Sequence, residues 1–105
     1  MVKITSNAIF LKLFYDNVNN SEISIRLLSV SKLNDLLIIF ELCKNILLNN
    51  VQLSHNDINK LRSYEKQLIF LAEKHKSFMK KVNLLKKNIH MFKILILIGS
   101  DLILK

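Results

Sequence analysis

The chain has 105 residues, half of them hydrophobic, and 16 Lys+Arg against 8 Asp+Glu leave a formal net charge of +8. That length holds one small domain with a single core. One Gly, no Pro and one Cys exclude turn-rich sandwiches, barrels and Rossmann units, an intramolecular disulfide framework and any multi-cysteine zinc site, and the apolar content argues against wholesale disorder.

The expected fold class is all-α: a small helical domain with a long basic C-terminal helix and an apolar tail. Residues 1–20 combine a short apolar run, Ala8-Ile9-Phe10-Leu11, with the polar cluster Asp16-Asn17-Val18-Asn19-Asn20. This predicts a short N-terminal helix that ends in a turn. Lys12 interrupts the run and no small-residue cleavage site follows, so the segment does not read as a signal peptide. Residues 21–53 hold two helices. Ser21-Glu22 offers a capping hydroxyl and an acid in the first turn, and Ile23, Leu27 and Val30 follow at helical spacing over 21–30. A second start near Ser31 or Asn34 opens a helix over 34–49. There Leu36, Leu37, Ile39, Phe40, Cys43, Ile46 and Leu47 form one wide face. Ile38, Leu42 and Leu48 lie off that face, so the helix is apolar round most of its circumference and belongs at the centre of a core or an oligomer. Asn49-Asn50 supplies the usual second choice after Gly for a left-handed cap.

Residues 54–93 begin with Ser54-His55-Asn56-Asp57, an [ST]-x-x-[DE] helix start. Leu61, Tyr64, Leu68, Leu71, His75, Phe78, Val82, Leu85, Ile89 and Phe92 then alternate steps of three and four, a heptad-like seam in which only His75 is not apolar. No Gly or Pro falls between 54 and 98, so one helix of roughly 50–60 Å is allowed. A bend near Asn83 or Asn88 is the alternative. Residues 94–105 carry Ile94-Leu95-Ile96-Leu97-Ile98 and Leu102-Ile103-Leu104 on either side of Gly99-Ser100-Asp101. A spanning helix needs roughly 20 apolar residues, so this tail reads as buried, docked on a partner, or interfacial.

The charge is localised. Residues 74–93 hold Lys74, Lys76, Lys80, Lys81, Lys86, Lys87 and Lys93 with no acid, a net of +7, and the remainder is close to neutral. On the heptad these lysines avoid the seam. Lys outnumbers Arg 14 to 2, a usage that AT-rich coding also produces. Catalytic chemistry has little to build on. Acids are scattered, and His55, His75 and His90 share no metal-ligand spacing. Cys43 lies on an apolar helix face as a buried thiol, and a single Gly cannot form a phosphate loop. The expectation is a non-enzyme without cofactor or metal. Seven unneutralised lysines create a strong positive potential suited to phosphates and not to reading bases. With five to seven phosphates neutralised, the log–log salt slope on duplex DNA is about −4 to −6.

One stretch resembles a known family. Glu41-Leu42-Cys43-Lys44-Asn45-Ile46-Leu47, then Val51-Gln52-Leu53-Ser54, then Leu61, Tyr64, Leu68, Leu71, Ser77 and Lys80-Lys81-Val82-Asn83-Leu84-Leu85 look like the small basic protein of Maverick/Polinton elements and adintovirus-like genomes. That family has itself been likened to the adenovirus core protein X precursor. Arg26-Leu27-Leu28 and Asp35-Leu36-Leu37 extend the resemblance over roughly residues 10–105. The chain departs from the family in having Asn49 and Asn88 where glycines are usual, no proline in its apolar C-terminus, and lysine where the family is richer in arginine. The resemblance implies a virion-associated, DNA-condensing core protein in a virion or host nucleus.

The expected partner is the phosphate backbone of double-stranded DNA, bound through the seven lysines. Self-association or the core of the fold falls to Leu36, Ile39, Phe40, Cys43, Ile46, Leu47, Leu61, Tyr64, Leu68, Leu71, Phe78, Val82 and Leu85, and a homo-oligomer or a capsid partner is expected. The alternatives are a membrane-active virion component, with the lysines on anionic lipid and Ile94, Leu95, Ile96, Leu97, Ile98, Leu102, Ile103 and Leu104 inserted, and a helical oligomerisation module.

Overall fold

A computed structural model describes residues 4–103. Among them are seven helices and no strand: α1 (Ile4–Asp16), α2 (Ser21–Val30), α3 (Leu33–Leu47), α4 (His55–Arg62), α5 (Glu65–Ala72), α6 (Phe78–Lys87) and α7 (Ile89–Ile103). The all-α expectation is met. The radius of gyration, 12.4 Å, matches the ~13 Å of a compact chain of this length.

Local chemistry explains most boundaries. The Asn cluster turns the chain after α1, with the Asn17 and Asn20 amides bonded back to Phe14 and Asn17 carbonyls. The cap of α2 is Asn20 and not Ser21. Its side chain accepts the Ile23 N–H at 3.1 Å, and Ser21 is the first helical residue. The buried face of α2 is also rotated from the expected one. Ile23 and Val30 are exposed, whereas Ser24 and Leu28 are buried, because the Ser24 hydroxyl donates to the Asn17 carbonyl and holds that face against the preceding turn. At α3 the Asp35 carboxylate accepts the Lys32 N–H at 2.8 Å. The helix ends as the asparagines require. Asn49 has φ 58°, the Asn50 N–H reaches the Asn45 carbonyl and the Asn49 N–H reaches that of Ile46. This is the Schellman pattern. Ser54 caps α4, accepting the Asp57 N–H at 3.2 Å.

The expected long helix over 54–93 is absent. Four helices occupy its place, broken at Ser63-Tyr64, over Glu73–Ser77 and at Asn88. The backbone leaves helical geometry at Glu73 (φ −77°, ψ 126°) and again at Asn88 (φ −118°, ψ 53°), while α6 runs straight through Asn83. A single helix of roughly 60 Å would leave most of its seam in water. Folded into a body only 31 Å across, the same residues meet α3 and α7. Leu61, Leu68, Leu71, Val82, Leu85 and Phe92 are all at most 3% exposed. His75 is the seam position that fails. It is exposed in the α5–α6 turn.

The core is built round α3, which packs on α1, α5 and α7 and buries Leu36, Ile38, Ile39, Phe40, Leu42 and Cys43. Phe14 of α1 meets Phe92 of α7 edge-to-face at 4.8 Å, an arrangement favoured by the ring quadrupoles. The apolar C-terminus is not a separate tail. It is the second half of α7, with Leu95, Ile96 and Ile98 in the core and Leu104 outside the described residues.

Candidate nucleic-acid interface

The basic stretch maps onto the α5–α6 turn, α6 and the start of α7. The turn, Glu73–Ser77, is exposed at every residue and presents Lys74 and Lys76. The Lys76 ammonium lies 5.4 Å from the centroid of the Phe70 ring, a cation–π contact that tethers it beside α5. Ser77 caps α6 through a long contact, 3.4 Å, from the Lys80 N–H. The helix that follows is strongly amphipathic. Val82 and Leu85 are buried on one side. Lys80, Asn83 and Lys87, at i, i+3 and i+7, are exposed on the other. Lys86 and, on α7, Lys93 are half-buried at the flanks.

Lys81 departs from its expected place. It is 6% exposed, and its ammonium sits 4.6 Å from the centroid of the Phe40 ring, whose edge also meets Phe78. The side chain thus lies against Phe40 of α3, the apolar stem and the charged head both largely covered. Partial desolvation lowers its pKa from 10.5, opposed by the charges of Cys43 and Glu73. Lys81 therefore belongs to the α3–α6 packing and not to the open basic face. At 3.6 residues per turn Lys81 falls about 40° beyond Leu85, outside the arc of Phe78, Val82 and Leu85, so spacing alone does not mark it as buried.

Among the described residues, the ion pairs are Lys12–Asp16 at 2.6 Å and Arg26–Glu22 at 2.8 Å, neither of which engages the seven lysines. Glu73 is the last acid before Asp101. The α6 face is thus positive, with Glu73 at its edge as the acid whose charge reaches Lys81. Neighbouring α2, which packs on α6, carries the self-neutralised Arg26–Glu22 pair.

The residues assigned to self-association or the core are mostly inside this single chain. Leu36, Ile39, Phe40, Cys43, Leu61, Leu68, Leu71, Val82 and Leu85 are buried, and Ile46, Tyr64 and Phe78 are partly buried against them; Leu47 is 36% exposed. The buried ones interdigitate in one core within the chain. Cys43 is 0% exposed, and burial pushes its thiol up to about 12 against the lowering effect of Lys81. A thiol so protonated and enclosed is inert. Of the proposed membrane residues, Leu97 and Leu102 are exposed, Ile94 and Ile103 half-buried, and Leu95, Ile96 and Ile98 in the core; Leu104 lies outside the described residues. Among the described residues no helix is long and apolar enough to cross a membrane, and no group of three or more His, Cys, Asp and Glu is placed to hold a metal ion. An open cleft of about 540 Å³ lies away from the basic face, between α1, residues 51–57 and the end of α7; no His or Cys lines it.

No protein-family model matches the chain, and neither a curated protein nor a solved structure is similar enough to count as a match.

Proposed function

We propose that the protein is a non-enzymatic DNA-binding protein that engages the phosphate backbone of duplex DNA without sequence specificity and condenses it. One observation carries this reading. Lys74, Lys76, Lys80 and Lys87 are exposed over a turn and one helix face in a stretch where no acid occurs from residue 74 to residue 100. Lysine ammonium groups of this kind contact phosphates as point charges. The resemblance of residues 10–105 to the small basic protein of Maverick/Polinton elements and adintovirus-like genomes supports a virion-type core protein, working in the virion or the host nucleus. The membrane reading has less support, because Leu95, Ile96 and Ile98 already pack in the core.

The test is the salt dependence of binding to labelled duplexes of unrelated sequence, followed by fluorescence anisotropy. Four exposed and two half-buried lysines set the expected log–log slope at about −3.5 to −5.5, equal for all sequences. Absence of duplex binding at about 50 mM salt, where phosphate contacts are strongest, overturns the proposal. Binding to anionic liposomes in place of DNA would assign the same lysines to lipid. A defined oligomer that forms equally at high and low salt, with no anion binding, would make the chain an interaction module.

A further inference from the structure

The basic face contains one hydroxyl whose surroundings set it apart. Ser77 is exposed, with Lys74 and Lys76 three and one residues before it and Lys80 three after it. The preceding turn is exposed throughout, and Ser77 itself has extended backbone, φ −59° and ψ 136°. Serine kinases select substrates by charge pattern, and those with acidic peptide grooves need basic side chains beside an acceptor serine that can lie extended in the groove. Ser63 has Lys60 and Arg62 at the same offsets but fails the second condition. It closes α4 in helical backbone, φ −71° and ψ −12°, and is followed by Glu65. Ser54 has no Lys or Arg within three residues on either side. Ser29 has Arg26 three residues before it and Lys32 three after, but it lies inside α2 with its hydroxyl donating to the Ile25 carbonyl, and Ser24, Ser31 and Ser100 are buried.

We propose that Ser77 is a phosphorylation site and that its modification switches off the basic face; the switch rests on the DNA-binding reading above. In the modification step the Ser77 oxygen attacks the γ-phosphorus of a nucleoside triphosphate. The bond from that phosphorus to the β–γ bridging oxygen breaks, the nucleoside diphosphate leaves, and the hydroxyl proton passes to the kinase base. The product carries a charge of about −1.5 to −2 at pH 7 beside Lys74, Lys76 and Lys80, within three residues of it in the chain. Its oxygens also replace the long Ser77–Lys80 contact with charged acceptors at the start of α6. Lysines that pair with this phosphate no longer neutralise DNA.

The experiment treats the folded, full chain with a basophilic kinase, the catalytic subunit of cyclic-AMP-dependent protein kinase, and magnesium ATP. The site is read by mass spectrometry, and duplex affinity is measured separately by anisotropy. The expected result is one phosphate on Ser77 and affinity at least tenfold weaker at about 100 mM salt. The Ser77→Ala variant should take up no phosphate and keep its affinity through the same treatment, and Ser77→Glu should fall between the two states. No incorporation, preferential incorporation at Ser29 or Ser63, or unchanged affinity of the Ser77-phosphorylated protein overturns the inference. Failure of the untreated protein to bind duplex is a different result: it overturns the DNA-binding reading and removes the site to be switched, whatever the mass spectrum shows.

Discussion

Lys81 and Lys80 are neighbours in sequence with the same charge, and the structure gives them opposite consequences when changed. Lys80 and Lys87 are exposed, so Lys80→Gln with Lys87→Gln should move stability by no more than about 0.5 kcal/mol per site. Each removes one phosphate contact, so the pair should make the salt slope shallower by about 1.8. Lys81 is 6% exposed with its ammonium over Phe40. Truncation by Lys81→Ala removes three buried methylenes at about 0.8 kcal/mol each and a cation–π contact of about 0.5–1 kcal/mol. Relief of the desolvation that lowers the Lys81 pKa offsets part of this, so the expected loss is about 2 kcal/mol, which in a domain this small lowers Tm by roughly 8 °C or more. Lys81→Met keeps the stem's volume, removes the charge and should change stability by less than about 1.5 kcal/mol. Neither change at Lys81 should alter the salt slope of DNA binding. Thermal melts and anisotropy titrations on these variants decide the matter. A slope loss in Lys81→Met equal to that of a Lys80→Gln single variant, or an unchanged Tm in Lys81→Ala, would refute the assignment of Lys81 to the packing between α3 and α6.

Other expectations follow from the same structure. Cys43 has its thiol pushed from 9.0 up to about 12. The folded state therefore holds one proton more than the unfolded state above about pH 9, and stability should fall by about 1.4 kcal/mol per pH unit from there. Urea unfolding at pH 8, 9.5 and 10.5 should show that component vanish in Cys43→Ala. The comparison belongs in a Lys81→Met background, because the lowered pKa of Lys81 acts with the opposite sign below 10.5. Asn49 occupies φ 58°, so Asn49→Gly should stabilise by a few tenths of a kcal/mol and Asn49→Val should destabilise by about 1 kcal/mol or more, read from thermal melts. Gly99 lies inside α7, and a Cβ there would meet Leu42 at 3.5 Å and Leu11 at 3.8 Å, which is ordinary contact. Gly99→Ala should therefore gain about 0.5–1 kcal/mol from helix propensity, and a lower Tm would show that the packing of α7 on α1 and α3 tolerates no added methyl.

Several features were determined by short-range chemistry and are readable from the chain alone. The start of α4 at Ser54 and the left-handed end of α3 at Asn49 each depend on one side chain and its adjacent backbone. The central place of α3 follows from its apolar residues lying round most of its circumference. The localisation of the charge in residues 74–93 is a property of the sequence itself. The tertiary structure decided the rest. A seam with steps of three and four and no Gly or Pro is compatible with one long helix and equally with four short ones. The choice depends on what the seam can bury against. Here α3 and α7 offer apolar surface to Leu61, Leu68, Leu71, Val82 and Leu85, and three breaks in the helix are the cost of reaching it. That folding also divided the lysines. Once α6 laid Val82 and Leu85 on the core, its rotation was set, placing Lys80 and Lys87 in solvent and Lys81 against Phe40. No local pattern carries the position of Phe40 relative to α6, because that contact joins residues about forty positions apart and exists only when the core has formed.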